Sequence, residues 1–103
     1  MKKNTKKAFR VVLMSCGNPD YGQTSPQSPT MTVPVDNLRD ARDIAMAYIV
    51  AWSLGAGNWC GSAGCVYPHD SEICIAQISY NGRVWTNDET PIEVPETELE
   101  YAL

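Results

Sequence analysis

One histidine, one phenylalanine and eight cations are all that this 103-residue chain has of those types. Between its ends the only cationic residues are Arg39, Arg42 and Arg83. A basic stripe that could neutralise a run of phosphates is therefore missing, which argues against direct nucleic-acid binding. No stretch approaches the ~20 consecutive apolar residues of a membrane-spanning helix. No Gly-rich loop follows a strand either. Gly55-Ala56-Gly57 follows a helical pattern and reads as a cap, so a phosphate cradle is excluded.

What is present fits one domain. The apolar fraction is 44%, ordinary for a globular protein, and a chain of this length can bury a core without staples. The net charge of -4 is unevenly spread. Lys2, Lys3, Lys6, Lys7 and Arg10 crowd the start, whereas Asp88, Glu89, Glu93, Glu96, Glu98 and Glu100 crowd the end. Residues 1–8 read as a flexible basic arm, 9–87 as the domain and 88–103 as an acidic tail or edge-hugging extension. Charged ends of this kind solubilise, and an acidic one can also meet a basic surface. The opening "MKKNTKKAFRVVLMSC" has the basic start and "LMSC" ending of a lipoprotein signal. Its apolar part is short and is broken by Arg10, so the competing reading is a first strand in a cytoplasmic protein.

Residues 9–15 are β-branched and apolar and predict a strand. A long Gly-, Pro- and Ser-rich loop follows, and "TMTVPV" predicts a second strand, placed at an edge by Pro34. Asp36 has the chemistry of a helix N-cap, with Asp40 and Asp43 complementing the dipole of a helix over 37–54. Leu38, Ala41, Ala45, Tyr48 and Trp52 fall on one face at helical spacing. The run "IAMAYIVAW" predicts cover on two sides, and Gly55 or Gly57 predicts the left-handed cap. Strands are expected at 64–68, at 72–80 and over "RVWT", the last two joined by an Asn81-Gly82 type I′ turn. Val11, Leu13, Ile73, Ile75, Ile78, Val84 and Trp85 are the candidate core of the sheet. The order β-β-α-β-β-β predicts an α+β, two-layer domain: an antiparallel sheet of four to five strands with one long helix on one face.

Three of the four cysteines and the histidine lie in "NWCGSAGCVYPHDSEIC". The spacing Cys60-x4-Cys65-x3-His69-x4-Cys74 has the ligand types for tetrahedral zinc. Its first pair is too widely spaced for the tight turn of a zinc knuckle, however, and Cys74 falls inside a predicted strand. A Cys60–Cys65 disulfide across "GSAG" is a second reading, and small buried thiols a third, which the cytoplasmic expectation favours. Cys65, His69 and Asp70 also have the residue types of a nucleophile pair with an orienting acid, though all from one local segment. No enzymatic activity is expected.

Tyr80 and Trp85 flank the Asn81-Gly82 turn with Arg83 beside them. Such a cluster either braces a hairpin or anchors a protein partner. The stretches "LGAGNW" and "ISYNGRVW" resemble the endings of small phage and mobile-element proteins of the anti-CRISPR type. That resemblance implies a non-enzymatic inhibitor acting on a host protein complex, such as a Cas effector, in the cytoplasm of an infected bacterium. The expected contact residues are Asp40, Asp43, Asp88, Glu89 and Glu93, standing in for phosphates, with Tyr80, Arg83 and Trp85 as anchors. The alternatives are a zinc-binding interaction module using Cys60, Cys65, His69 and Cys74, and an exported lipoprotein anchored through Cys16.

Overall fold

A computed structural model describes residues 7–18 and 21–102. The basic arm expected over 1–8 lies outside them, apart from Lys7 and Ala8. The elements are β1 (Phe9–Leu13), β2 (Met31–Val35), α1 (Leu38–Ala51), β3 (Cys65–Pro68), β4 (Ala76–Ile78) and β5 (Val84–Thr86), with 3₁₀ turns at Ala56–Asn58 and Glu96–Glu98. The five strands form one antiparallel sheet in the order β2-β1-β3-β4-β5, and α1 packs on it. This is the α+β, two-layer arrangement that the pattern of elements predicts. Among the described residues no helix is long and apolar enough to cross a membrane.

β1 lies between β2 and β3 and is antiparallel to both. β2 and β3 are therefore parallel to each other, and α1 makes the crossover between them, as parallel strands require. Alternation then sorts side chains to two faces. Val11 pairs with Val66, Val66 with Ala76, and Ile78 with Val84; all five are buried against the helix layer. The opposite face carries the row Cys65, Gln77, Trp85 and Glu93, each the cross-strand partner of the next. Trp85 thus stands on the uncovered face, not in the core.

α1 buries Leu38, Ala41, Ala45, Tyr48 and Ile49. Its N-cap is Asn37, not Asp36: Asn37 Oδ1 accepts from Asp40 N at 2.8 Å, while Asp36 pairs with Lys7 at 3.1 Å. At the other end the left-handed residue is Ser53 (φ 53°), not a glycine. Leu54 N donates to Ile49 O and Ser53 N to Val50 O, the paired bonds of a Schellman cap. That turn rotates the chain away before Trp52 reaches the core, leaving Trp52 42% and Val50 74% exposed. The second half of α1 is therefore covered on one side, not two. Tyr48 is held from below: its hydroxyl donates to Pro29 O at 2.5 Å and lies 2.6 Å from Ser28 Oγ, which bonds Ser15 Oγ at 2.7 Å.

Two β expectations shorten or change type. The strand expected over 72–80 is regular only at Ala76–Ile78. Ile75 N still reaches Val66 O, but Asn87 captures both Ile75 O and Cys74 O, and the chain before them leaves the ladder. Ile73 is consequently 71% exposed instead of buried. In the hairpin, Gly82 has φ 86° while Asn81 does not have positive φ, which a type I′ turn would require. Gly82 N bonds Ser79 O, and Ser79 N bonds Arg83 O, so the loop is the three-residue kind closed by a left-handed glycine.

The acidic end is an extension of the sheet, not a solvated tail. Thr86 N donates to Ile92 O, Val94 N to Val84 O, and Glu93 bridges Trp85. Leu99 then inserts into the core with 2% exposure. A boundary at residue 87 does not separate this segment from the domain.

Candidate functional site

A groove of about 500 Å³ opens on the uncovered face across β4 and β5. One wall is the loop after Trp59, and the other is the turn whose ends are Asn87 and Pro91. Trp59, Tyr80 and Trp85 supply its aromatic surface. Each is placed by its backbone. Trp59 Nε1 donates to Ile78 O at 2.9 Å, and its ring lies 6.3 Å from that of Tyr48. Tyr80 Oη donates to Leu54 O at 3.0 Å. Trp85 is turned outward by its place between Val84 and Thr86 in β5. No lining residue carries a carboxylate, an imidazole or an amine.

The first wall is pinned covalently. Cys60 is bonded to Cys16, across a sequence separation of 44 with Cα atoms 6.3 Å apart. This corrects all three expectations for Cys60, as a zinc ligand, as a partner of Cys65 and as a free thiol. It also binds the sulfur that a lipid anchor on Cys16 would need. Cleavage before Cys16 would in addition excise β1, the strand between β2 and β3. Around the bond sits Asn58, buried at 5% exposure. Its Oδ1 accepts from Gly55 N, and its Nδ2 lies 2.9 Å from both Cys16 O and Gln23 Oε1. Cys16 N returns a bond to Asn58 O. One asparagine thus joins the loop after β1 to the loop after α1.

The zinc set is not assembled. Cys65 and Cys74 are free, and the Cys74 thiol donates to Ala76 O at 3.2 Å. Burial, reinforced by Cys74, pushes the Cys65 thiol up to about 12. Burial and the adjacent thiols also raise the Tyr67 hydroxyl above its ordinary value. His69 is exposed beyond the far end of β3, about 13 Å from Cys65 along an extended strand. Cys65, His69 and Asp70 therefore make no nucleophile pair. Among the described residues no three His, Cys, Asp or Glu side chains gather where a metal could be held.

The eight expected contact residues divide. Tyr80 and Trp85 line the groove. Arg83 lines a separate recess of about 210 Å³ with Arg42 and Glu96, and lies 3.9 Å from Glu93. Asp40 Oδ2 accepts from Asp36 N, and Asp43 pairs with Arg42, both on the helix layer. Two hydrogen-bonded carboxylates, Glu96 and Asp43, hold the Arg42 guanidinium's pKa above its ordinary value in spite of burial. Asp88 and Glu89 lie in the turn that walls the groove, where Asp88 Oδ1 accepts from Thr90 N. Sequence reasoning missed Asn58 and the Cys16–Cys60 pair, because both depend on β3 pairing with β1, which no local signal announces. The chain matches no family model, no curated protein and no solved structure.

Proposed function

We propose that the protein is a small non-enzymatic inhibitor that binds a basic surface of a nucleic-acid-handling protein complex. The observation that carries this reading is the uncovered sheet face. It presents an aromatic groove with no acid, base or free nucleophile lining it, bordered by Asp88 and Glu89. Aromatic residues in a pre-formed depression are typical anchors of protein interfaces, and a complementary charge at the rim speeds encounter. Asp40 and Asp43 belong to a different surface and drop out of the contact set. A Cas effector is the target class suggested by the resemblance to anti-CRISPR proteins, and the cytoplasm of an infected bacterium is the corresponding site of action. The disulfide weighs against a strongly reducing setting, because such bonds are rare where thiols are kept reduced.

The test is inhibition. Purified protein is titrated into a purified CRISPR effector while DNA binding by the effector is followed. The expected result is a dose-dependent loss of DNA binding that weakens between 50 and 500 mM salt, as a charge-complementary interface should on the scale set by a Debye length of about 10 Å at 0.1 M. Undisturbed DNA binding across effectors of several types, with no complex on size exclusion, overturns the reading.

A further inference from the structure

We propose that Asn81-Gly82, at the tip of the hairpin between β4 and β5, is a self-modification site at which the folded protein converts Asn81 to aspartate or isoaspartate. Of the six asparagines, Asn81 alone precedes a glycine. The conversion begins when the backbone nitrogen of the following residue attacks the side-chain carbonyl carbon. Glycine has no side chain to crowd that approach. Asn81 is also exposed, so water reaches both the amide and the ring that replaces it.

The loop places donors where charge develops. Asn81 Oδ1 accepts from Ser79 Oγ at 2.5 Å and from Arg83 N at 3.2 Å. Together they form a small oxyanion hole around the oxygen that turns negative when Gly82 N adds to Cγ. Asn81 Nδ2, the leaving nitrogen, is not held by any described residue. By contrast, Nδ2 of Asn58 is held by Cys16 O and Gln23 Oε1, and that of Asn87 by Cys74 O. One restraint remains: Gly82 N–H is given to Ser79 O at 2.9 Å. Exposed backbone bonds at a loop tip open locally at little cost.

Once that bond opens, hydroxide takes the Gly82 amide proton, Gly82 N bonds to Cγ, and the carbonyl electron pair moves onto Oδ1. The pair returns, the Cγ–Nδ2 bond breaks, and Nδ2 takes a proton from water and leaves as ammonia. The succinimide ring that remains adds one water and opens at either carbonyl. The net change is amide plus water to carboxylate plus ammonium, with no oxidation and no partner. A carboxylate then replaces the amide in the recess that Asn81 lines with Arg42 and Arg83. Isoaspartate also lengthens the loop backbone by one carbon.

The experiment is a long incubation of the intact, folded protein at pH 8, with peptide mapping of every asparagine and enzymatic methylation to detect isoaspartate. The expected result is a gain of about 1 Da confined to the peptide that carries Asn81. Ser79→Ala keeps the bond from Gly82 N to Ser79 O and removes one oxyanion donor, so it should slow the conversion about threefold or more. Ser79→Thr keeps the hydroxyl and should restore the rate. Asn81→Gln, whose carbonyl stands one methylene further out, should yield no product. Conversion seen only after unfolding in urea, earlier conversion at another asparagine, or a Ser79→Ala rate equal to or above the parent's overturns the proposal.

Discussion

The molecule has two cysteine pairs, and they are opposites. Cys16 and Cys60 are remote in sequence, half-buried and bonded, whereas Cys65 and Cys74 are close in sequence, adjacent in space and free. The bonded pair joins two stretches of irregular chain, one following β1 and the other following α1. The free pair lies where β3 and β4 are already joined by ladder bonds. The covalent link therefore falls where backbone pairing runs out. A cross-link that closes a long loop removes the most freedom from the unfolded chain, so this is also where such a link stabilises most.

The largest expected effect tests the bonded pair. Cys16→Ser or Cys60→Ser should cost about 4 kcal/mol by loop entropy and lower Tm by roughly 15 °C or more. Reductant should do the same to the parent and nothing to either variant. Thermal unfolding with and without reductant reads this directly, and a loss below about 1 kcal/mol would assign the loop's order to hydrogen bonds instead. Next comes Asn58→Ala, which strands Gly55 N and Cys16 O in a buried site. Chemical denaturation should show a loss of about 2–3 kcal/mol. If the variant loses nothing, the disulfide alone holds the two loops together.

Smaller effects are expected at the free pair. Cys65→Ala removes a small buried group beside an intact ladder and should cost about 1–2 kcal/mol. Its raised thiol gives a sharper signature. A thiol that titrates near 12 when folded and near 9.0 when unfolded favours the fold fully below pH 9.0, and loses that advantage as pH rises toward 12. Parent stability should thus fall above pH 9, and Cys65→Ala should fall less steeply. At pH 8 the scarcity of thiolate should make alkylation of native Cys65 at least about tenfold slower than in the unfolded chain. Equal rates would show that the thiol is not shielded.

The contrast between the pairs also marks how far the chain could be read. The order of elements, the edge position of Pro34 and most of the helix's inner face follow from local chemistry. Alternation, capping residues and Asn81-Gly82 act over a few positions. Trp52 and Ile73 were misplaced because their exposure is set by a left-handed Ser53 and by Asn87 capturing carbonyls, neither of which a periodicity contains. The groove was half legible: Tyr80 and Trp85 were legible as a pair, while Trp59 and its wall depend on β3 returning to β1. Had β3 been expected beside β1, the end of β1 and the start of β3 would have come together. Cys16 and Cys60, just beyond them, would then have been the natural pair.

That same strand order has a consequence during synthesis. β1 is made early, but its partner β3 leaves the ribosome only after β2, α1 and the loop beyond them have been made. At about 5–20 residues per second that wait lasts several seconds. During it the nascent chain can form at most a β1–β2 hairpin and an unsupported helix, and Cys16 has no native partner until Cys60 emerges. The interval in which this protein is most open to a wrong thiol partner is thus set by where its third strand is inserted in the sheet.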